Sequence, residues 1–328
     1  AYLLKMHHSA TDGLGLGQLL AQLHSRQRNP RADKPQPTPR GGEQTSPLGV
    51  LRHQLCHDVA AVPGLLGGAG SRTLAALSDP VGSVRSALRY GNSLRRVLTP
   101  PHAAASPLLA HRGSQWRFAT LDVPLRDLRA AAKAAGATIN DAYLAALLGG
   151  YRRYHQALGA PVEAIPMAIP ISVRRPGEPG GGNRIAGARF SGPVATSDPR
   201  TRIQQIRALI LSARSEPAID TIGLMSPALA RLPGPVIAAI AGSQTTFVPG
   251  PRGDLYLAGA RIERVYPFAP LPGCAAMIML VTHGDTGCVG ANLDAASITQ
   301  PDLFTRCLAD GFTEVLSHHH STTPTIRT

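Results

Sequence analysis

The chain has 328 residues, 43% of them hydrophobic and 16% charged, enough apolar material for one large domain or two ordinary ones and too well mixed for a disordered tail. Lysine and arginine exceed aspartate and glutamate by 13, a balance that suits nucleic acid, an anionic lipid surface or a phosphorylated small molecule, although a GC-rich coding sequence gives the same excess of arginine. Aromatic residues make up only 4% and the basic residues form no dense block, so a nucleic-acid partner is excluded.

In chain order, Tyr2 to Met6 predicts a short strand. Leu14 to Ser25 predicts a helix with Leu16, Leu19, Leu20 and Leu23 on one face. The stretch from 26 to 115 is rich in Pro, Gly and Ser, with weak helical patterns at Val50 to Val62 and Val81 to Leu98. It predicts a long crossover between two domains. Trp116 to Val123 predicts a strand, and Leu125 to Ala135 a helix started by Pro124 and stopped at Gly136. A second helix over Thr138 to Leu158 ends at Gly159, and Ala164 to Val173 and Arg184 to Phe190 are strands. Arg200 to Ser215 predicts an amphipathic helix with Ile203, Ile206, Ile210 and Leu211 facing inward. Ile219 to Ile240 reads as a proline-interrupted helix. Strands follow at Ser243 to Val248, Ala260 to Pro267, Ala275 to Thr282 and Cys288 to Leu293, then a closing helix at Pro301 to Leu316.

Residues 317–328 predict a mobile tail, whose three consecutive histidines are read as solvated and not as a metal site. Cys56, Cys274, Cys288 and Cys307 lack metal-ligand spacing and predict buried thiols in a reducing compartment, with no metal bound. The apolar stretches are too short or too broken to span a bilayer, so any membrane contact is peripheral.

The chemistry-bearing stretch is His7-His8-Ser9-Ala10-Thr11-Asp12-Gly13. A histidine near neutral pKa takes the proton of an attacking hydroxyl when its ring is held in one orientation. Asp12, just before the helix, can cap free amides or pair with an arginine, and Gly13 permits the tight turn. Adjacent strand residues point to opposite faces, so one histidine of the pair is free to be structural, and the pair is a poor chelator. Gly13, Gly15 and Gly17 lack the spacing and the βαβ context of a dinucleotide-binding turn, and no G-x-S-x-G elbow occurs.

The His-His-x-x-x-Asp-Gly heptad resembles the chloramphenicol acetyltransferase-like superfamily. Three further stretches narrow the resemblance to bacterial wax ester synthase/diacylglycerol acyltransferases: Thr138-Ile139-Asn140-Asp141; Ile169 to Arg174 with Gly182-Asn183-Arg184; and Val248-Pro249-Gly250-Pro251 followed by Leu255 to Arg261. It runs from residue 1 to about 316 and is weakest over 26–115; Phe247 replaces a small polar residue, a departure that bears on acceptor shape.

The resemblance implies an α/β fold of two domains with mixed sheets flanked by helices, the N-terminal half incomplete. Residues 1–25 then belong to the end of the first domain and 116–316 to the second, and the position of the heptad predicts a fragment or processed product. It also implies acyl transfer from acyl-coenzyme A, used as a co-substrate with no permanently bound cofactor, to diacylglycerol or a fatty alcohol. His8 is the base and His7 the less certain histidine, with Asp12 and Gly13 ordering the motif. Asn140 and Asp141 belong to the active-site surround or, alternatively, cap a helix, and Arg174, Asn183 and Arg184 meet the coenzyme A phosphates. The implied location is cytoplasmic, at a membrane or lipid-droplet surface, with a homo-oligomer admitted. The competing readings are a peptide-synthetase condensation domain and a truncated, non-catalytic lipid-binding protein.

Overall fold

The computed structural model describes residues 1–6, 13–29, 46, 48–49, 52, 56, 80–99, 103, 106–172, 185–219, 243–248, 250, 253–271 and 273–317. Two compact units are present: Ala1–Pro30 with Leu94–Thr328, and Arg31–Ser93. The first holds a mixed six-stranded sheet. In chain order its strands are β1 (Trp116–Pro124), β2 (Ala164–Ser172), β3 (Ile185–Pro193), β4 (Ser243–Val248), β7 (Ala276–His283) and β8 (Thr286–Asp294), and their spatial order is β1-β8-β7-β4-β2-β3. The pairs β2–β4 and β4–β7 are parallel and the others antiparallel. A separate two-residue hairpin joins β5 (Tyr256–Leu257) to β6 (Ala260–Arg261).

Helices α3 (Leu125–Ala134), α4 (Ile139–Ala157), α5 (Pro199–Arg214) and α6 (Pro301–Ser317) pack against one another and against the sheet. α4 is the centre of this layer, buried without a break from Asp141 to Tyr151. Its Tyr143 hydroxyl donates to the Ile278 carbonyl of β7 at 2.8 Å. Glycines set the α4–α6 distance: a Cβ on Gly311 would lie 2.3 Å from the Ala146 carbonyl oxygen, and one on Gly150 would lie 2.9 Å from the Leu308 Cα. Backbones therefore meet with no side chain between them.

The same close approach holds a buried charge. Arg202 of α5 has no exposed surface, and a Cβ on Gly149 would sit 2.7 Å from its Nη2. Its Nε donates to the Ala145 carbonyl at 2.9 Å, its Nη1 to the Thr196 carbonyl at 2.6 Å and its Nη2 to Glu314 of α6 at 2.9 Å. Arg152 and Arg153 bond the same carboxylate at 2.9 and 2.7 Å. Burial pushes the Glu314 carboxyl up, but Arg202 and Arg153 outweigh it and hold the group below its ordinary value. On another side of α4, the buried Ser106 and His155 bond at 2.7 Å, while His155 Nδ1 donates to the Tyr151 carbonyl at 2.7 Å. Burial lowers the His155 pKa.

The sheet face away from these helices carries a strap, residues 262–271, along the β1–β8 pair. Asp122 accepts from Arg264 Nε at 2.6 Å and from the Tyr266 hydroxyl at 2.7 Å. With burial, that bond pushes the Tyr266 pKa up to about 12. Phe268 packs edge-on against Phe118, centroids 5.2 Å apart, and Asn292 donates to the Ala269 carbonyl at 2.9 Å. Between them the Pro267 carbonyl rests on Gly290, where a Cβ would lie 1.9 Å from its oxygen.

Several expectations need correction. Residues 1–6 are exposed and form no strand, since no described strand offers them a ladder. The strand expected over Ala260 to Pro267 pairs only at Ala260–Arg261; beyond it the chain becomes the strap, held by side chains and single carbonyls. Leu211 is 52% exposed, because Ile203, Ile206 and Ile210 already fill the inward stripe and Leu211 lies a further 100° round. Cys56 is exposed, whereas Cys274, Cys288 and Cys307 are buried. The helix expected over Ile219 to Ile240 and the tail after Ser317 lie outside the described residues, as does most of the pattern at Val50 to Val62. Among the described residues no helix is long and apolar enough to cross a membrane.

Three outcomes follow from these contacts. Glu314→Ala leaves the Arg202 charge buried without its counter-ion and should cost about 3 kcal/mol, read as a lower urea midpoint at unchanged slope. Gly290→Ala should displace the strap at a cost of about 1–3 kcal/mol and speed amide exchange across 262–271, whereas Gly187→Ala, with nothing within 4 Å of its new Cβ, should change neither. The folded state disfavours protonated His155, so the stability this group contributes is complete above its ordinary pKa of 6.5 and is lost as pH falls below it. His155→Gln should remove that part of the slope of denaturation midpoint against pH.

Candidate active site

Helix α1 (Gly13–Leu23) begins on the last residue of the heptad. His7, His8 and Asp12 lie outside the described residues, but the chain on both sides of them is described. On the upstream side, the Tyr2 hydroxyl hydrogen-bonds Nε2 of His24, a residue only 4% exposed at the end of α1. The two rings meet edge-on with centroids 5.9 Å apart, and burial raises the Tyr2 pKa. The segment before the heptad and the end of the helix after it are thus clamped together.

The clamp is itself tied down. Ser25, next to His24, makes an antiparallel bridge to Tyr256 in which each backbone amide donates to the other carbonyl at 2.8 Å. Arg28 lies over the Tyr256 ring, 5.9 Å from its centroid. The hairpin turn has Ala258 at φ 49° and Gly259 at φ 79°, the two positive values that a two-residue connection of this hand requires. After the hairpin, the Ile262 carbonyl accepts from Nε2 of His283 at 2.8 Å, which pins the start of the strap to the end of β7. Two stretches far apart in sequence, the end of α1 and Leu255 to Arg261, are therefore neighbours through this bridge. A polar hollow of about 370 Å³ beside the hairpin is lined by Asp254, Arg261, Glu263, Arg264, His283 and Asp285 among others. Its charged walls do not suit an acyl chain.

Asn140 and Asp141 occupy the first turn of α4, Asn140 half-buried and Asp141 2% exposed. Neither is the cap; that residue is Thr138. The Asp141 carboxylate accepts from the Thr138 amide and from its hydroxyl at 2.8 Å each, and the Asp141 amide donates back to Thr138 Oγ1 at 3.3 Å. This reciprocal box satisfies amides that a helix start leaves free. Arg207 Nη1 stands 3.6 Å from the same carboxylate. Of the turn at 249–251, only Gly250 is described: its amide donates to Thr282 Oγ1 at 2.8 Å, and a Cβ there would overlap the Thr282 carbonyl. Arg174, Asn183 and Arg184 lie outside the described residues.

The reading from sequence missed Tyr2, His24, Ser25 and His283, which contribute by holding backbone. Nothing in their spacing marks them, since their partners are 21 to 231 residues away. It also missed Ser106 and His155, which have the arrangement of a serine with its base but are sealed in the core.

Two family models match the chain. The model described as the wax ester synthase/diacylglycerol acyltransferase catalytic domain covers residues 1–143, and that of the C-terminal domain of the same proteins covers 181–315. A Mycobacterium tuberculosis (strain H37Rv) protein carrying the name "Putative diacyglycerol O-acyltransferase" is 42% identical over 97% of the chain and 66% of its own length. A second protein so named, from strain CDC 1551, is 30% identical over 96% of the chain and 63% of its own length. The chain thus spans a little under two thirds of these relatives. Among solved structures, a wax ester synthase/diacylglycerol acyltransferase from Marinobacter aquaeolei VT8 aligns with TM-score 0.53 and 20% identity, over 73% of this chain and 58% of the other. A condensation domain of the enacyloxin polyketide synthase aligns with TM-score 0.52 and 17% identity, over 98% and 59%. At these identities the structures share the fold, and the two sequence models carry the assignment. The chain belongs to the wax ester synthase/diacylglycerol acyltransferase family.

Proposed function

We propose that the chain carries the base of an acyl-coenzyme A-dependent O-acyltransferase, with diacylglycerol or a long-chain alcohol as acceptor. His8 takes the hydroxyl proton as the acceptor oxygen attacks the thioester carbonyl. The tetrahedral oxyanion then collapses, the C–S bond breaks, and the proton passes to the coenzyme A thiolate. One ester and one thiol result, with no acyl-enzyme intermediate. Asp12 and Gly13 order the loop, His7 supports it, and Asn140 lines the surround. Arg174, Asn183 and Arg184 supply charge and amides for the coenzyme A phosphates.

The observation that carries this reading is the pair of ties on the residues that flank the heptad: Tyr2 to His24, and Ser25 to Tyr256 in a second family stretch. A general base needs a fixed orientation, and in this reading the ties on the flanking residues favour one. Asp141, whose Oδ2 accepts twice from Thr138, acts in this reading by setting the helix start that presents Asn140. Acceptor and product are both water-insoluble, so the reaction belongs at a membrane or lipid-droplet surface, reached by peripheral contact from the cytoplasm.

Release of coenzyme A thiol from a long-chain acyl-coenzyme A, with dispersed diacylglycerol or fatty alcohol, tests the proposal. His8→Ala should lower the rate by about 10²–10⁴-fold while leaving the denaturation midpoint unchanged. An unaltered rate in His8→Ala would refute the assignment of the base. Diacylglycerol binding without any thiol release by the wild-type chain would favour a non-catalytic lipid-binding protein.

A further inference from the structure

Helix α2 (Pro80–Leu98) carries an apolar stripe that faces water. Val81, Val84 and Leu88 are 69%, 60% and 64% exposed. Their spacing places all three within an arc of roughly 60° at about 100° per residue. On the opposite side Ser93 is buried, and Ser83, Leu94 and Val97 are half-buried. Single exposed apolar residues are ordinary on any surface, but a continuous ridge along one helix face is not. Arg85 and Arg89 flank the ridge on one side and Arg95 continues its line; all three are exposed. The helix contains no aspartate or glutamate, and among the described residues Arg85 and Arg89 make no ion pair. Arg96 is the exception, bonded to Glu216 at 2.7 Å.

We propose that this face of α2 is the docking surface for an anionic lipid interface. The apolar ridge enters the boundary between headgroups and acyl chains, and the arginines stay at headgroup level against the phosphates, the arrangement of an amphipathic helix lying in the interface plane. Charge decides between this occupant and a second copy of the chain. Ridge-to-ridge pairing of two α2 helices would bring the Arg85–Arg89 rows together with no acidic residue of either helix between them. An anionic surface offers complementary charge to every arginine at once. The inference depends on the acyl-transfer reading only for its place in the reaction, because docking to a vesicle needs neither His8 nor a substrate.

The test is sedimentation of the full chain with vesicles of phosphatidylcholine alone and of phosphatidylcholine mixed with phosphatidylglycerol. Binding is expected to the mixed vesicles only and to weaken as salt screens the arginines. V84D/L88D should reduce partitioning by on the order of tenfold, and R85Q/R89Q by about thirtyfold. R126Q/R129Q removes the same charge from exposed positions on α3 and should leave partitioning within about twofold of wild type. These are surface substitutions, and unchanged denaturation midpoints establish that the variants fold. Equal losses in R126Q/R129Q and R85Q/R89Q would overturn the proposal in favour of the general field of a basic protein. Full binding by V84D/L88D would place the contact elsewhere, and a dimer in free solution that V84D/L88D dissociates would assign the ridge to a second copy. Thiol release toward detergent-dispersed substrates is read in parallel and should be unchanged in the α2 variants. Loss of docking is thereby separated from failure of the acyl-transfer reading.

Discussion

The guanidinium of Arg202 is removed from water, and the helical layer is arranged around satisfying it. Its donors are met by one carboxylate on α6 and by carbonyls from α4 and the α5 approach, so three helices share a single charge. Geometry as much as charge permits this, because Gly149 leaves the space that the guanidinium and Glu314 occupy. A buried ion pair of this kind adds less to stability than its Coulomb energy suggests, since both ions lose their hydration. What it imposes is register. Sliding α6 along α4 would strand the charge and bring a residue with a Cβ against the Ala146 carbonyl, where Gly311 now fits. The layer is therefore fixed, and so is the sheet it covers.

That rigidity is passed outward to the residues flanking the heptad by contacts that are individually small. Gly290 of β8 admits the Pro267 carbonyl, Asp122 and Asn292 hold the strap on either side, and His283 holds its first residue. The strap continues the β5–β6 hairpin, and Tyr256 of the hairpin bridges Ser25, one residue beyond the His24 that binds Tyr2. Tyr2 and the end of α1 are thus referenced to the central sheet without belonging to any strand of it. Positioning of this kind tolerates no slack at the glycine, because a single methyl group there lifts the strap and loosens each later contact.

Much of residues 116–316 was legible before any coordinates. The strands over Trp116 to Val123, Ser243 to Val248 and Cys288 to Leu293 and the helices around Leu125, Thr138, Arg200 and Pro301 lie within a few residues of their observed bounds. Alternation, helical periodicity and the punctuation of Pro124, Gly136 and Gly159 are local signals, and these elements are locally consistent. The failures came where pairing partners decide. Tyr2 to Met6 has the composition of a strand without a ladder, and Ala260 to Pro267 alternates like a strand but lies on a face of the sheet instead of at an edge. Leu211 failed for a related reason, since helical period does not say where an inward stripe ends. For the candidate site, the heptad could be read, but the ties of Tyr2 to His24 and of Ser25 to Tyr256 could not, because a bond across 22 or 231 residues leaves no periodic trace.

The Asn-Asp stretch shows how a motif can divide into unlike roles. Read as letters, Asn140 and Asp141 are equal members of one signature. In the fold, the Asp141 carboxylate accepts two bonds from Thr138 and faces Arg207, with 2% of the residue exposed, so it is occupied at the helix start. Asn140, one residue earlier and half-buried, carries no part of that cap. The capping box sets the entry angle of α4, which is also the helix fixed along its length by Gly149, Gly150 and the Glu314 cluster. Replacing Asp141 would therefore change the start of the best-packed helix in the domain before it touched any chemistry. Asn140 stands on an element held at both ends, the condition under which one short amide side chain can serve a reaction by position alone.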